Sequence, residues 1–241
     1  MTVWISHRGV KENGVEENTF HAFEAAVKRG FRSLETDLRL TADHQIVLSH
    51  DPSFSRLSQN NIPIVNLTRK QIEAIRFSDG QPPYFFEDFL QDHSRRKWTL
   101  DIKPETGATT LRVLLKLVNQ RFDRDDFIRR ASFVVWTHAD LQFVEQEFKG
   151  AKIYATKQEC WRAGLAGLWF GGFGSGIKEG KVYSIIPELF GAKLFQKAVV
   201  DRYHARGARV LAFLPRSEEE CRQALAAGVD EILSDGFYLG S

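Results

Sequence analysis

Short apolar segments typical of strands alternate with segments of helical periodicity along most of this chain. Residues 3–6 form the first apolar run, and apolar side chains recur at helical spacing in residues 19–28, with Asn18 as the expected N-cap. This alternation predicts a parallel sheet, and the number of units favours closure into a (β/α)8 TIM barrel, with a doubly wound open sheet as the alternative. Further strands are predicted at 33–40, 97–102, 132–136, 152–155, 182–186, 209–214 and 231–234, and further helices at 109–119, 139–148, 191–206 and 217–227.

The chain length and its polar segments predict the domain organisation. At 241 residues the chain is long enough to bury a large core and falls in the range where α/β barrels form one domain, so we predict a single domain over 1–241. The polar segment 52–68 interrupts the alternation after the second strand and is predicted to be a small insertion. No G-x-G-x-x-G motif follows the first strand, which argues against dinucleotide binding.

Charge and hydropathy exclude several classes of partner. The 33 Lys and Arg residues nearly balance the 31 Asp and Glu residues, so bulk charge does not predict nucleic-acid binding. No apolar run reaches the roughly eighteen residues of a membrane-spanning helix. Cys160 and Cys221 lack a C-x-x-C motif, and residues 2–5 leave no room for a leader before His7. We expect a cytoplasmic protein, and the sequence does not predict its oligomeric state.

The residues most suggestive of chemistry lie in the first 51 positions. Glu35 and Asp37 are two residues apart on a predicted strand, so their carboxylates share a face and can hold a hard divalent cation. His7 and His50 can serve as acid and base near neutral pH. Arg8 offers a planar fork for phosphate oxygens, and Gly9 permits a tight backbone beside it. This combination points to metal-assisted cleavage of a phosphate ester.

Ordered motifs then give a family resemblance. The first 51 residues contain four motifs in order: His7-Arg8-Gly9, Glu17-Asn18-Thr19, Glu35-x-Asp37 and Val47-x-x-His50-Asp51. Together these motifs resemble the N-terminal signature of the glycerophosphodiester phosphodiesterases. A later segment, Leu100-Asp101-Ile102-Lys103, is similar to the third motif of that family. The resemblance implies that Glu17 and Asn18 border the site. It also implies a Mg²⁺ or Ca²⁺ ion on Glu35, Asp37 and Asp101, phosphate contacts from Arg8 and Lys103, and acid–base work by His7 and His50. Which histidine is the acid stays open.

Three residues depart from the family pattern, one at the predicted metal site and two in the part of the pocket expected to bind the alcohol. Asp101 stands where the family usually has glutamate, and Phe213 and Pro215 replace a tryptophan and an amide side chain on the predicted seventh strand. Residues 164–180 contain seven glycines interleaved with Leu168, Trp169, Phe170 and Phe173. This segment is either a flexible connection or a mobile lid whose aromatic rings meet an apolar group.

These observations predict a small-molecule phosphodiester as substrate. The family resemblance implies metal-dependent hydrolysis of a glycerophosphodiester to an alcohol and glycerol 3-phosphate, by attack of water or of a neighbouring substrate hydroxyl. One alternative is a lysophospholipase D whose aromatic segment accepts an acyl chain. Another is a barrel that binds phosphodiesters without turnover, which Asp101, Phe213 and Pro215 favour but the two histidines oppose. His138, at a predicted strand end, is a possible substrate contact.

Overall fold

The computed structural model describes residues 2–169 and 176–240. Phe170 and Phe173 of the glycine-rich segment, together with any lid they form, lie outside the described residues. The chain consists of two compact units, one of residues 7–152 and the other of residues 2–6 together with the described part of 153–240. All of the predicted site residues belong to the first unit.

Strands and helices alternate through both units, as predicted. The strands are β1 (Val3–His7), β2 (Ser33–Leu40), β3 (Ile46–Leu48), β4 (Lys97–Ile102), β5 (Ala131–Val134), β6 (Lys152–Ile153), β7 (Val182–Ile185), β8 (Glu188–Leu189), β9 (Ala192–Lys193), β10 (Arg209–Phe213) and β11 (Glu231–Ser234). The helices are α1 (Phe20–Arg29), α2 (Arg69–Glu73), α3 (Phe86–Asp92), α4 (Gly107–Arg121), α5 (Arg124–Arg130), α6 (His138–Glu147), α7 (Lys157–Trp169), α8 (Lys197–His204) and α9 (Glu218–Ala227).

In the unit of residues 7–152, β2 pairs in parallel with β4, and β4 pairs in parallel with β5. The short β3 runs antiparallel on β2. Every residue of β2 is buried, including both acids. Strands of parallel sheets are commonly covered on both faces, so the acids of β2 require compensating partners in the interior.

In the other unit, the residues 3–6 of β1 pair in parallel with β11, β11 pairs with β10, and β10 pairs with β7. The helix predicted over 191–206 begins only at Lys197. Before it, β8 and β9 form an antiparallel hairpin in which Phe190 and Gly191 have φ values of 50° and 80°. Two successive residues at positive φ match a tight hairpin turn, which explains why the helix starts late.

The predicted cap of α1 is wrong by one residue. Thr19 is the N-cap, and its hydroxyl accepts a hydrogen bond from the backbone N–H of Ala22 at 3.2 Å. Asn18 adopts a left-handed backbone with φ of 55° and directs its side chain to β2. A side chain that bonds the strand interior is not available to cap the helix, so the adjacent threonine takes that role.

Residues 52–68, the predicted insertion, contain a 3-10 helix at Ile64–Asn66. Their apolar side chains enter a buried cluster that we call the insertion core, formed by Val47, Phe54, Leu57, Ile64, Leu67, Ile72, Phe77 and Phe85. This packing attaches the segment to β3 and to the residues before α3. Within the described part of the chain, none of the helices is both long enough and apolar enough to cross a bilayer.

Candidate active site

Three buried carboxylates meet on two neighbouring strands. Glu35 and Asp37 lie on β2, and Asp37 is directly opposite Asp101 of β4 in the parallel register. Residues two apart on a strand share a face, so Glu35 projects to the same side as Asp37. One oxygen from each of the three groups lies within 4.8 Å of the others. The structure thus brings together all three predicted metal ligands.

Two cations compensate part of this negative charge. Lys103 Nζ lies 2.7 Å from Asp37 Oδ1 and 2.6 Å from Asp101 Oδ2. Arg8 Nε lies 3.0 Å from Asp37 Oδ2, and Arg8 Nη1 donates a hydrogen bond to Glu17 Oε1 at 3.1 Å. Both predicted phosphate-binding residues therefore lie at the cluster, where they pair with carboxylates.

The backbone after β1 turns sharply to place Arg8. Its φ is 58°, and its N–H approaches the Glu35 carbonyl oxygen at 3.1 Å and the Glu35 Oε2 atom at 3.2 Å. Gly9 follows with φ of 85°, and a Cβ added there would lie 2.5 Å from the Ala22 Cβ and 2.6 Å from the Ala22 carbonyl carbon. Only glycine combines this φ with so close an approach to α1.

Asn18 connects this turn to the acidic strand. Its backbone N–H donates to the Arg8 carbonyl at 2.9 Å, and its side-chain Nδ2 donates to Asp37 Oδ2 at 3.0 Å. Its Oδ1 accepts from the Thr36 hydroxyl at 2.8 Å. Asn18 is thus a buried positioning group for both Arg8 and Asp37.

Burial and charge separate the three carboxyl groups. Burial and the negative charges of Asp37 and Asp101 raise the pKa of Glu35 well above its usual range. Burial alone would also raise the pKa of Asp37, but the positive charges of Lys103 and Arg8 lower it to about 2. Burial and Asp37 raise the pKa of Asp101 against the opposing effect of Lys103. Glu35 and Asp101 therefore carry a proton more readily than isolated carboxyl groups would, whereas Asp37 remains ionised.

The two predicted catalytic histidines differ in environment. His7 is buried at the end of β1, and its Nε2 lies 4.0 Å from Glu35 Oε2. The side chain of His50 is 42% exposed, and its Nδ1 lies 2.8 Å from Asp51 Oδ1. The preceding Ser49 N–H donates to the Asp37 carbonyl at 3.1 Å, which attaches the His50 segment to β2.

Three residues of the site were missed by sequence reasoning. Arg39 donates two hydrogen bonds to the His50 carbonyl, and Arg56 bonds both Asp51 and Glu17. The indole N–H of Trp136 donates to Asp101 Oδ1 at 2.6 Å, while 47% of Trp136 remains exposed. Trp136 is the last residue of the strand predicted over 132–136, and this position is the signal that pointed to it. His138, the predicted substrate contact, is exposed at the start of α6.

Comparison with known proteins agrees with this arrangement. A family model described as the Glycerophosphoryl diester phosphodiesterase family matches residues 7–237. The chain belongs to this family. It is accordingly a phosphoric diester hydrolase.

Two relatives and one solved structure are similar to this chain along nearly its whole length. A lysophospholipase D of Homo sapiens is 26% identical, over 96% of this chain and 82% of that protein. A glycerophosphodiester phosphodiesterase of Caldanaerobacter subterraneus subsp. tengcongensis is 23% identical, over 97% and 94%. A phosphodiesterase of Oleispira antarctica, solved with its product sn-glycerol-3-phosphate, is 18% identical with a TM-score of 0.76, over 98% and 94%. The likeness confirms the predicted (β/α)8 TIM-barrel fold class.

The acidic cluster fits a divalent cation of the kind the family resemblance implies. Asp37 Oδ1 is buried and accepts no aligned hydrogen bond from the residues that the structure describes, although Lys103 Nζ lies 2.7 Å from it. Three carboxylates face two cations, so full ionisation of the cluster leaves a net negative charge in the interior. All-oxygen ligands of this type suit Mg²⁺ or Ca²⁺ better than zinc. Glu35, Asp37 and Asp101 are the residues that would hold the ion.

Proposed function

We propose that this family member hydrolyses a glycerophosphodiester to an alcohol and glycerol 3-phosphate in a metal-dependent, two-histidine reaction. The observation that supports it most is the buried cluster of Glu35, Asp37 and Asp101 beside His7. The Oleispira antarctica phosphodiesterase, whose solved complex contains sn-glycerol-3-phosphate, supports the choice of product.

The residues divide the work as follows. A divalent cation held by Glu35, Asp37 and Asp101 would supply positive charge to a phosphate oxygen. Arg8 and Lys103 add positive charge that stabilises the pentacoordinate phosphorus. His7 and His50 share the proton transfers, one removing a proton from the nucleophile and the other giving a proton to the leaving alkoxide.

The test is phosphodiester turnover on glycerophosphocholine, glycerophosphoethanolamine and glycerophosphoglycerol. The protein is first stripped with EDTA and then given Mg²⁺ or Ca²⁺, while the released alcohol and glycerol 3-phosphate are measured. Metal-restored release of both products supports the proposal. Full activity in the stripped protein would contradict metal dependence, and release of no product with any metal would contradict the reaction.

Variants separate the histidine from the metal ligands. We predict that His50→Ala lowers kcat by about 10²–10⁴-fold, the range of general acid–base catalysis, and leaves metal binding nearly intact. Asp37→Ala should lose both turnover and metal binding, as measured by calorimetric titration of the metal. His21→Ala, an exposed histidine on α1, serves as the control and keeps wild-type turnover. Wild-type turnover in His50→Ala would rule out its acid–base role.

A lysophospholipase D activity is the second candidate, because the human relative carries that name. Adding lysophosphatidylcholine to the substrate panel separates the two activities, since release of choline from it leaves lysophosphatidic acid.

A cytoplasmic location and a single-domain organisation stay predictions of the sequence. Fractionation of the native cell tests the first, and a single cooperative unfolding transition tests the second.

A further inference from the structure

Arg56 lies outside the motifs that predicted the site, yet it contacts the acid that holds His50. We propose that Arg56 is a positioning residue for His50, acting through Asp51. This inference rests on the proposed function, because it assumes that His50 transfers a proton during the reaction.

Asp51 is held at both of its carboxylate oxygens. Its Oδ2 accepts a hydrogen bond from Arg56 Nε at 2.7 Å, and its Oδ1 lies 2.8 Å from His50 Nδ1. A carboxylate bonded at only one oxygen still rotates about its last side-chain bond. Arg56 therefore fixes the plane of Asp51, and with it the direction of the bond to His50.

The other end of the Arg56 guanidinium donates a hydrogen bond to a buried carboxylate. Arg56 Nη2 donates to Glu17 Oε1 at 2.6 Å, and Arg8 Nη1 donates to the same oxygen at 3.1 Å. Glu17 is 3% exposed. Burial alone would raise its pKa, but the hydrogen bond from Arg56 and the charge of Arg8 lower the pKa of Glu17, so it remains an anion. Glu17 gives Arg56 a fixed anchor beside Arg8.

The backbone of Arg56 is fixed by apolar packing. Phe54 and Leu57, its near neighbours in sequence, are both buried in the insertion core defined above. The side chain of Arg56, in contrast, is 48% exposed and reaches toward Asp51 and Glu17. The insertion core thus fixes the backbone from which the guanidinium reaches Asp51 and Glu17, which explains why an exposed arginine can position another residue.

The contacts also determine which nitrogen of His50 is free for chemistry. Burial acts to raise the pKa of Asp51, but hydrogen bonds from His50 and Arg56 lower it, so Asp51 is ionised near neutral pH. An ionised carboxylate only accepts hydrogen bonds, so His50 Nδ1 must carry the proton. The Nε2 atom is then the one that exchanges a proton with substrate. A histidine oriented by a carboxylate in this way is a common arrangement in enzymes.

The first readout is the tautomer of His50, which does not require turnover. We compare ¹⁵N chemical shifts of the His50 ring in the wild type, Arg56→Met and Asp51→Asn, assigned with His50→Gln. We expect the Nδ1–H tautomer to dominate in the wild type and to lose at least half of its population in both variants. Arg69→Met is the matched control, because Arg69 is an ion-paired arginine on α2 that contacts Glu73 and Asp88 instead.

The second readout is a double-mutant cycle on kcat for the best diester. We expect Arg56→Met to lower kcat by about 10–100-fold with KM within about twofold. When Arg56→Met is added to Asp51→Asn, kcat should fall by less than a further twofold, because both substitutions break the same chain of contacts. Arg56→Lys, which keeps the charge and one donor, should recover part of kcat, and it replaces Arg56→Met if that variant does not fold.

The outcomes separate this inference from the function it rests on. A wild type that cleaves no diester overturns the proposed function, whereas the tautomer measurement still reports the Arg56 contact. An unchanged His50 tautomer in Arg56→Met, or multiplicative losses in the cycle, would overturn the positioning role. A large rise in KM at constant kcat would instead make Arg56 a direct substrate contact and likewise overturn it.

Discussion

At the scale of single residues, Asp101 shows how neighbours compensate a shortened side chain. It is one methylene shorter than the glutamate that the family resemblance led us to expect at this position. Lys103 Nζ contacts its Oδ2, and the Trp136 indole donates to its Oδ1. Both oxygens are therefore oriented by the protein, and Asp101 still joins Glu35 and Asp37 in one cluster. The identity of the acid is evident in the sequence, whereas these two partners became visible only in the structure.

His93 provides a prediction at the same scale. It is buried among Phe20, Phe23, Tyr84 and Phe89, and its Nε2 has no hydrogen-bond partner within residues 2–169 and 176–240. Burial lowers the pKa of His93 below its ordinary value. Below about pH 6.5, His93 therefore binds a proton more readily in the unfolded chain than in the folded protein. Its contribution to the free energy of unfolding is full above that pH and is lost as the pH falls.

We expect His93→Phe to reduce the pH dependence of stability. At pH 5.5, one unit below the ordinary histidine pKa, this group accounts for up to about 1.4 kcal/mol of the stability lost from neutral pH. Urea unfolding at pH 7.5 and pH 5.5 measures the loss in the wild type and in the variant, and contributions from other groups cancel in the comparison. Equal losses in the two proteins would show that His93 is protonated in the folded state.

At the scale of elements, the turn between β1 and α1 is where the site is assembled. Arg8, Gly9 and Asn18 all adopt positive φ, and hydrogen bonds tie this turn to β2 on one side and to α1 on the other. A non-glycine residue with positive φ carries a cost of about 1–2 kcal/mol. At Arg8 and Asn18 this cost is offset by hydrogen bonds to Glu35 and Asp37.

Two glycines of this turn give a matched pair of variants. Gly9→Ala should destabilise the protein by about 2–5 kcal/mol, the sum of the backbone cost and of overpacking against Ala22. Gly14 has a similar φ of 80°, but no atom of the described residues lies within 4 Å of an added Cβ, so Gly14→Ala should lose only about 1–2 kcal/mol. Equilibrium urea unfolding measures both, and similar losses for the two variants would show that the approach to α1 is unimportant.

At the scale of the whole molecule, the fold brings motifs that are far apart in the sequence together in one site. His7, Asp37 and Asp101 lie far apart in the sequence but at or near the carboxyl ends of β1, β2 and β4. Barrels of this class place their chemistry at that end of the strands. A cation bound there would stabilise the folded chain, because the unfolded chain does not hold the three proposed ligands together.

We therefore predict that Mg²⁺ or Ca²⁺ raises the melting temperature. At 100 times the dissociation constant the gain is about 2.7 kcal/mol, which corresponds to roughly 5–11 °C for a protein of this size. Differential scanning fluorimetry with EDTA and with added metal measures the shift. His50→Ala should keep the shift and Asp37→Ala should lose it. A shift of wild-type size in Asp37→Ala would place the metal elsewhere.

The sequence by itself predicted most of the strands and the reaction class. Alternating apolar and helical segments located most strands within one or two residues, since periodicity reports burial directly. The i, i+2 spacing of Glu35 and Asp37 set their common face, because side-chain direction on a strand depends only on local backbone geometry.

Only the tertiary structure decided the contacts between distant segments. Asn18 bonds β2 and leaves the helix cap to Thr19, Arg56 joins Asp51 to Glu17, and Trp136 reaches Asp101. The hairpin of β8 and β9 likewise replaces the first part of a predicted helix. Each outcome depends on which segments pack side by side, and local periodicity carries no information about partners many residues away.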